Sequence, residues 1–377
     1  MSKRIGQKEK TSETMRTWIA KSTADFAQLE TSWSDLEQRC SARPFSSFRW
    51  ANAWSQSKLE MVKPYVIGVE NAEGELVGLA PFHEGTLNCK YGPSYKVLRL
   101  YGEPDGLTEY AGWLALPDAE EAVYDAVAST LAKQADWDLA YMPYLDKLEY
   151  KKISTGTNRH PRLRTRIRNC EFCGFDLQES LEEYLSLFSA KSRSRMRKTL
   201  KQFGGLSDYE FNTASTEDEL LQGATSLIDL SMRRWDSVGK ISSFANIPTL
   251  ASFLEILMGS IDTSQIRLFY VKEGEARIAV QFGVVHNRIY YQIQEAFVPN
   301  ISNLGNALRL HSIASLIDEG VKYYDFMAGV SEHKLRWHAK SMPGQHILLI
   351  RDSLKNLPFI HTKLWPTGRF TDFVPLV

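Results

Sequence analysis

Apolar and polar positions along the chain fall into two similar series. In the first half, Tyr65–Glu70 and Glu75–Phe82 are β-rich runs joined by the turn-type sequence Asn71-Ala72-Glu73-Gly74. A further strand, Tyr95–Tyr101, follows the Gly92-Pro93 break. Pro117-Asp118 opens a helix with acidic residues in its first turn, running to about Gln134. Asp138–Tyr144 reads as the next strand. The second half repeats this order. Ile266–Lys272 and Glu275–Val285 form a hairpin across Glu273-Gly274, and Arg288–Gln294 is the third strand. A helix over about Asn306–Glu319 and a closing strand, Lys322–Met327, complete it. The shared order of hairpin, strand, helix and strand predicts a duplicated α/β unit.

Between the series, Lys151–Cys170 is basic and turn-rich, which predicts a loop and a return strand. Three helices follow. The first is Leu181 to about Phe203, stopped by Gly204-Gly205 and carrying Lys191, Arg193, Arg195, Arg197, Lys198 and Lys201. The second is about Thr216–Val238. The third is Ile247–Met258, with Pro248 suited to a first helical turn. The expected organisation is a flexible lead over 1–20, an N-terminal domain over 21–180, a C-terminal domain over 181–350, and a tail over 351–377 that packs back without a function of its own.

Composition narrows the class. A length of 377 residues fits two or three domains, and 43% apolar with 24% charged residues is ordinary for a soluble globular chain. Forty-five basic residues balance 45 acidic ones, so the net field gives no reason to expect nucleic acid as a partner. No apolar run reaches the ~18 residues of a transmembrane helix, and Met1–Lys21 lacks the apolar core of a secretory signal. Four cysteines (Cys40, Cys89, Cys170, Cys173) are too few for a disulfide framework, which places the expected setting in a reducing cytoplasm. Cys170-Glu171-Phe172-Cys173 is a lone pair without the second pair that a zinc site needs, so no metal is expected.

The chemistry concentrates in residues 266–337. There the loop Ser302-Asn303-Leu304-Gly305-Asn306-Ala307 delivers the chain from a strand to a helix start. Free backbone N–H groups at such a start bind anions, including the pyrophosphate of coenzyme A. Arg309, one turn on, adds a charge. The alternative for the same loop is a plain helix cap by Ser302 or Asn303.

Three segments carry a family resemblance. They are Ser189-Ala190-Lys191-Ser192-Arg193-Ser194-Arg195-Met196-Arg197-Lys198, then Arg233-Arg234-Trp235-Asp236-Ser237-Val238-Gly239, and then Tyr324-Asp325-Phe326-Met327-Ala328-Gly329 continuing to Lys334-Leu335-Arg336-Trp337. Together they resemble GNAT-superfamily acyltransferases of the CelD/BioF2-like group, which is related to the FemAB peptidoglycan ligases. The resemblance spans about residues 20–350. It implies an α/β (α+β) fold of two tandem GNAT-like domains, each a mixed sheet flanked by helices, with the acyl donor in the second. It implies transfer of an acyl group from acyl-CoA to an amine, and the group's association with envelope work points to a sugar or polysaccharide precursor as acceptor. FemAB relatives use aminoacyl-tRNA instead. A degenerate scaffold that binds without catalysis is the remaining alternative. The donor loop departs from the usual Q/R-x-x-G-x-G/A pattern at Ser302, the expected proline is Leu304, and the group's Tyr-Lys pair is His333-Lys334.

Acyl transfer needs a polarised thioester, a deprotonated amine and a stable leaving thiolate. Glu295, just before the donor loop, and Asp325, near the end of the closing strand between Tyr324 and Phe326, are the candidate bases. His333 is the candidate acid or base near neutral pH. A structural carboxylate at Asp325 and an exposed one at Glu295 are the competing readings. Lys334 is a candidate for an acidic acceptor or a donor phosphate. Tyr290 and Tyr291 alternate faces, so one of them meets the cleft, and Tyr291 is the candidate. Arg193 and Arg197 share a helix face at i,i+4 and are candidates for an anionic substrate, against the reading of a solvated charge run.

Overall fold

The computed structural model describes residues 15–88, 93–103, 107–204, 208–260, 264–361, 364–366 and 373–375. Cys89, Gly92 and Gly205, named above, lie outside them, as do residues 1–14. The first half runs β1 (Arg16–Ala20), α1 (Thr23–Gln28), α2 (Glu30–Arg39), α3 (Phe48–Gln56), β2 (Lys63–Glu70) and β3 (Leu76–Leu87). It continues through β4 (Tyr95–Leu100), β5 (Leu114–Ala115), α4 (Glu120–Lys133), β6 (Leu139–Asp146), α5 (Lys147–Thr157) and β7 (Leu163–Asp176). The second half runs α6 (Leu181–Ser186), α7 (Ala190–Gly204), β8 (Tyr209–Thr213), α8 (Glu217–Asp236), α9 (Ser243–Asn246), α10 (Pro248–Ser260) and β9 (Ile266–Glu273). It ends with β10 (Ala276–His286), β11 (Ile289–Phe297), α11 (Leu304–Asp318), β12 (Tyr323–Ala328), α12 (Glu332–Leu335), β13 (Lys340–Arg351) and α13 (Leu357–His361).

The strands form one mixed sheet in the order β1-β2-β3-β4-β6-β13-β7-β12-β11-β10-β9-β8, with β5 on β3. The expected α/β architecture, a mixed sheet flanked by helices, is present. In each half one pair is parallel, β4 with β6 and β11 with β12, and its neighbours are antiparallel. The last strand of each half crosses into the other half. β7 pairs with β12, while β13 pairs with β6 along one edge and with β7 along the other. The two units are therefore interlocked at the centre of the sheet.

Alternation along the strands divides the second half into two cores. Leu268, Tyr270, Val280, Phe282 and Tyr291 face α8 and α10, whose Leu227, Leu250 and Phe253 complete one cluster. Phe269, Val271, Ala279 and Tyr290 face the opposite way, onto Leu308, Leu310 and Ile313 of α11. At the centre of this second core, the Gln281 amide nitrogen, with two hydrogens to donate, lies within hydrogen-bond distance of the hydroxyls of Tyr290 (3.0 Å), Tyr324 (2.9 Å) and Ser312 (3.2 Å). Buried polar groups without such partners would cost about 1–3 kcal/mol each.

Four expectations change. Residues 16–20 of the supposed lead form β1, paired antiparallel with β2. Lys151–Cys170 does contain the expected return strand, β7 from Leu163, but its first part is helix and not loop: α5 occupies 147–157, started by Asp146, whose carboxylate accepts from the N–H groups of Leu148 (2.8 Å) and Glu149 (2.9 Å). The single helix over 181–203 is two, broken at 187–189, where Phe188 turns into the core and the Ser189 hydroxyl accepts from the Ser192 N–H (3.3 Å). The tail starts one residue later than expected, because Arg351 ends β13; beyond it, Phe359 of α13 packs back as expected, buried edge-on against Tyr95 with 4.9 Å between ring centres.

Candidate functional site

Two irregularities open the site. β11 and β12 pair only at Ile289–Tyr291 with Tyr323–Asp325, and beyond that point they part. On β11 the register with β10 slips between Phe282 and Gly283, leaving Ile293 unpaired. The bulge reverses which residues face α11: Glu295 meets Arg309 of α11, whereas Tyr291 faces the other side. On β12 the ladder with β7 breaks between Asp325 and Ala328, with Met327 at φ +61° and Gly329 at φ +83°. Clefts lie on both flanks of the gap.

The larger cleft, about 770 Å³, is walled by α7, the start of α11, Phe297 of β11, and α12 with the residues after it. Its floor is the helix start. Asn303 is the cap residue in left-handed conformation (φ +65°) and its side chain makes no capping bond. The first helical N–H, Leu304, reaches the Ile301 carbonyl at 3.4 Å, and Ala307 reaches the Asn303 carbonyl at 2.9 Å. The N–H groups of Gly305 and Asn306 between them have no acceptor among the described residues. Neither cap foreseen as the alternative, Ser302 or Asn303, has formed. Two free donors at the positive end of a four-turn helix suit a phosphate. Gly305 is required by packing: a Cβ there would lie 2.5 Å from Cε1 of Phe297. The helix N-terminus thus sits on the Phe297 ring, and the Arg234 guanidinium covers the same ring at 4.3 Å. From α7, Ser192, Arg195, Met196 and Thr199 point into the cleft, a spacing that puts them on one helical face.

A second cavity, about 430 Å³, adjoins the first and shares Arg234, Glu295 and His333 with it. Its other walls include Glu109, Trp235, Arg309, Phe326, Ala328 and Lys334. Glu109 comes from the loop between β4 and β5 in the first half. Its carboxylate accepts from the Ala328 N–H at 2.5 Å. Burial drives its pKa up to about 7, against the pull of the Ala328 bond and of Lys334. Lys334 is fixed: its Nζ donates to the carbonyls of Phe326 (2.9 Å), Ala328 (2.7 Å) and Gly329 (2.8 Å), and burial lowers its pKa. All three ammonium hydrogens therefore go to the strand end that carries the bulge. His333 stands at the junction, its pKa lowered to about 4 by burial and then by Arg309, Arg234 and Arg336. At neutral pH it is an uncharged imidazole.

The remaining expected residues are placed as follows. Glu295 bonds Arg309 at 2.6 Å, with side chains 9% and 3% exposed. The Arg309 guanidinium lies between the rings of Phe326 (5.2 Å) and Trp337 (5.1 Å). That pair holds β11, α11 and the segment after β12 together beneath the junction, so neither member is a free base or a free cation. Asp325 points to the opposite face, accepting from the Tyr110 hydroxyl (2.9 Å) and the Met327 N–H (2.6 Å), with its pKa raised to about 6 by burial. It lines neither cleft. Tyr291 shares that face, edge-on to Phe45 and Tyr110. Leu304 and Ala307 are buried under the helix start, and Ser302 is exposed. Arg197 pairs with Glu182 at 2.5 Å, and both it and Arg193 lie off the face of α7 that lines the cleft.

Sequence reasoning passed over Glu109, Arg234 and Arg195 as site residues. Arg234 and Arg195 sit inside quoted motifs, so a signal existed. Glu109 lies in a loop 186 residues before Glu295 and gave none. Among the described residues no group of three or more His, Cys, Asp or Glu is placed to hold a metal, and no helix is long and apolar enough to cross a membrane.

Residues 190–335 match the family model of the acetyltransferase (GNAT) domain, and most of the residues that line the larger cleft lie within that match. No curated protein matches the chain. Among solved structures, FemX superposes with a TM-score of 0.61 at 11% identity, covering 89% of this chain and 98% of that one. A conserved protein of unknown function from Bacteroides thetaiotaomicron gives 0.53 at 12%, covering 88% and 99%. The C-terminal domain of a putative lysylphosphatidylglycerol synthetase from Agrobacterium fabrum gives 0.52 at 11%, covering 89% and 95%. At such identities the likeness is one of fold, and it extends over both halves of the chain.

Proposed function

We propose that the chain is an acyl-CoA-dependent N-acyltransferase. The observation that carries this reading is the pair of unsatisfied N–H groups, Gly305 and Asn306, at the floor of a large cleft that meets a second cavity, the one holding Glu109, at Arg234, Glu295 and His333. The donor pyrophosphate rests on the start of α11, with Arg195 of α7 and Arg336 as further cations on the wall. The pantetheine arm runs along the gap between β11 and β12, which brings the thioester to the junction.

The acceptor amine enters through the smaller cavity. Glu109, with a pKa near 7, is matched to removing a proton from an ammonium group at physiological pH. The freed nitrogen attacks the thioester carbon, the C–S bond breaks, and the departing thiolate takes up the proton that the nitrogen sheds as the amide forms. His333, uncharged, retains an N–H to donate toward the departing sulfur. Arg234 is available to the charge that develops on the carbonyl oxygen. Lys334 stays with its three carbonyls, where it holds the Ala328 N–H against Glu109. An amino group on a sugar or envelope precursor is the proposed acceptor, and the resemblance of Tyr324–Gly329 and Lys334–Trp337 to the CelD/BioF2-like group supports it.

A second reading has its own observation. Lys191, Arg195, Lys198 and Lys201 are exposed on α7 along the rim of the donor cleft, as a polyanionic aminoacyl-tRNA donor would require. Thermal unfolding with a panel of acyl-CoA thioesters separates the two. A donor at 100 times its dissociation constant should stabilise the fold by about 2.7 kcal/mol. No shift with any thioester, together with retention of charged tRNA in a gel, would favour the tRNA donor.

A further inference from the structure

Three bulky residues from distant parts of the chain hold left-handed backbone at one place. They are Tyr110 (φ +58°), Tyr144 (φ +52°) and Met327 (φ +61°), and such angles are rare for side chains of this size. The Tyr110 N–H donates to the Tyr144 carbonyl at 3.0 Å. The Tyr110 hydroxyl donates to Asp325 (2.9 Å), and the other oxygen of Asp325 accepts the Met327 N–H (2.6 Å). Backbone strain persists only where surrounding contacts hold it, and it gathers at functional sites. The contacts are present here. The Tyr110 ring is stacked on Phe172 with 4.0 Å between centres, and the Arg43 guanidinium stands 4.9 Å from the same ring. Phe172 of β7 is itself the ladder partner of Ala328.

These bonds close a ring through Glu109. Glu109 and Tyr110 are consecutive, and so are Met327 and Ala328. The Glu109 carboxylate takes the Ala328 N–H (2.5 Å) on the side of the second cavity. Asp325 takes the Met327 N–H from the opposite face and is tied back to Tyr110. Two carboxylates therefore hold successive N–H groups of the β12 bulge, and one peptide unit links the two sides of the ring. A turn of Tyr110 out of its stack would carry Glu109 with it. The titratable groups facing Glu109 are Lys334, Asp325, Glu103, Tyr144 and Cys170. Asp325 thus acts on Glu109 by charge as well as through the ring.

We propose that Tyr110 and Asp325 are positioning residues for Glu109, fixing from the far face of the sheet the point at which its carboxylate meets the amine. The role of Glu109 as base rests on the function proposed above, whereas the hold of Tyr110 and Asp325 on it does not. The test uses the full chain, with thiol release from acetyl-CoA and glucosamine as the acceptor probe. Tyr110→Phe and Asp325→Ala should each lower kcat about tenfold or more, with KM for acetyl-CoA within about twofold of wild type. Both should speed amide exchange at Ala328. Asp325→Asn keeps an oxygen for the Met327 N–H, so it should recover most of the turnover that Asp325→Ala loses. With a negative charge gone from beside Glu109, its rate should also rise at lower pH than that of wild type. Added to Glu109→Gln, Tyr110→Phe should cost no further turnover, because it acts through the group already removed. Wild-type kcat and Ala328 exchange in Tyr110→Phe and Asp325→Ala, however much stability fell, would overturn the proposal. So would a full further loss on top of Glu109→Gln. If wild type releases no thiol, the reaction assigned above fails, and carbon-13 titration of the Glu109 carboxyl decides the positioning on its own. A titration unmoved by Asp325→Asn, with Ala328 exchange unmoved by Tyr110→Phe, would then overturn it, and shifts in both would sustain it.

Discussion

Replacing Glu109 with Gln separates chemistry from folding. The amide keeps an oxygen to accept the Ala328 N–H, so the strand end stays anchored. The base is lost. General-base assistance is worth about 10²–10⁴ in rate, or about 3–5 kcal/mol of barrier. The turnover of wild type should rise with pH through about 7 as Glu109 gives up its proton, and E109Q should lose both that limb and at least a hundredfold of kcat. Stability should move the other way. Holding a carboxyl at about 7 instead of 4.5 withholds roughly 3 kcal/mol from the fold once the group is ionised. The sign follows from the proton count. Folded Glu109 keeps its proton more tightly than the unfolded chain does, so its contribution is full below about 4.5 and is lost as pH climbs through about 7. Solvent in the cavity screens part of the cost, and Lys334 loses a neighbouring charge. The variant should therefore gain about 1–2 kcal/mol at pH 8 and little at pH 5. Urea unfolding at both pH values, beside a pH profile of thiol release from acetyl-CoA, reads the two effects. An E109Q enzyme within threefold of wild type, with its pH limb intact, would refute the assignment of the base.

Other consequences are as specific. Gly305→Ala puts a methyl group 2.5 Å from the Phe297 ring, so the ring must shift under Arg234; calorimetric titration should show acyl-CoA binding weakened about tenfold or more, at about 1.4 kcal/mol per decade, with the fold intact by circular dichroism. Glu295→Gln leaves Arg309 charged and buried, and equilibrium unfolding should register a loss of about 3–5 kcal/mol, part of it recovered when Arg309→Met is added. Because β7 and β13 each pair with the opposite half, residues 1–180 and 181–377 expressed separately should not unfold cooperatively, and should regain a single transition when refolded together.

What was legible in the sequence is what local pattern determines. The strands and helix over 266–328 were readable because long apolar runs with period 2 or 3.6 are broken by Glu273-Gly274 and by the loop at Ser302–Asn303. The exchange of β7 and β13 was not, because their pairing partners stand far away in the chain and no local period records them. The orientation of Glu295 was hidden by the bulge at Ile293, which turns over the alternation on which any face assignment depends. The helix Lys147–Thr157 was obscured by its polar, lysine-rich surface, and only Asp146 marks its start. At the site, the donor loop could be read from a glycine before a helix. Glu109 could not, because its position depends on a contact with Ala328 that exists only once the two halves have folded together.

The central claim is that the start of α11 receives the donor. Amide hydrogen exchange with and without coenzyme A tests it at the atoms concerned. The account predicts slowed exchange at Gly305 and Asn306, and on the facing turn of α7 around Arg195, with the first half unchanged. Protection confined to other regions, or none at saturating coenzyme A, would contradict it.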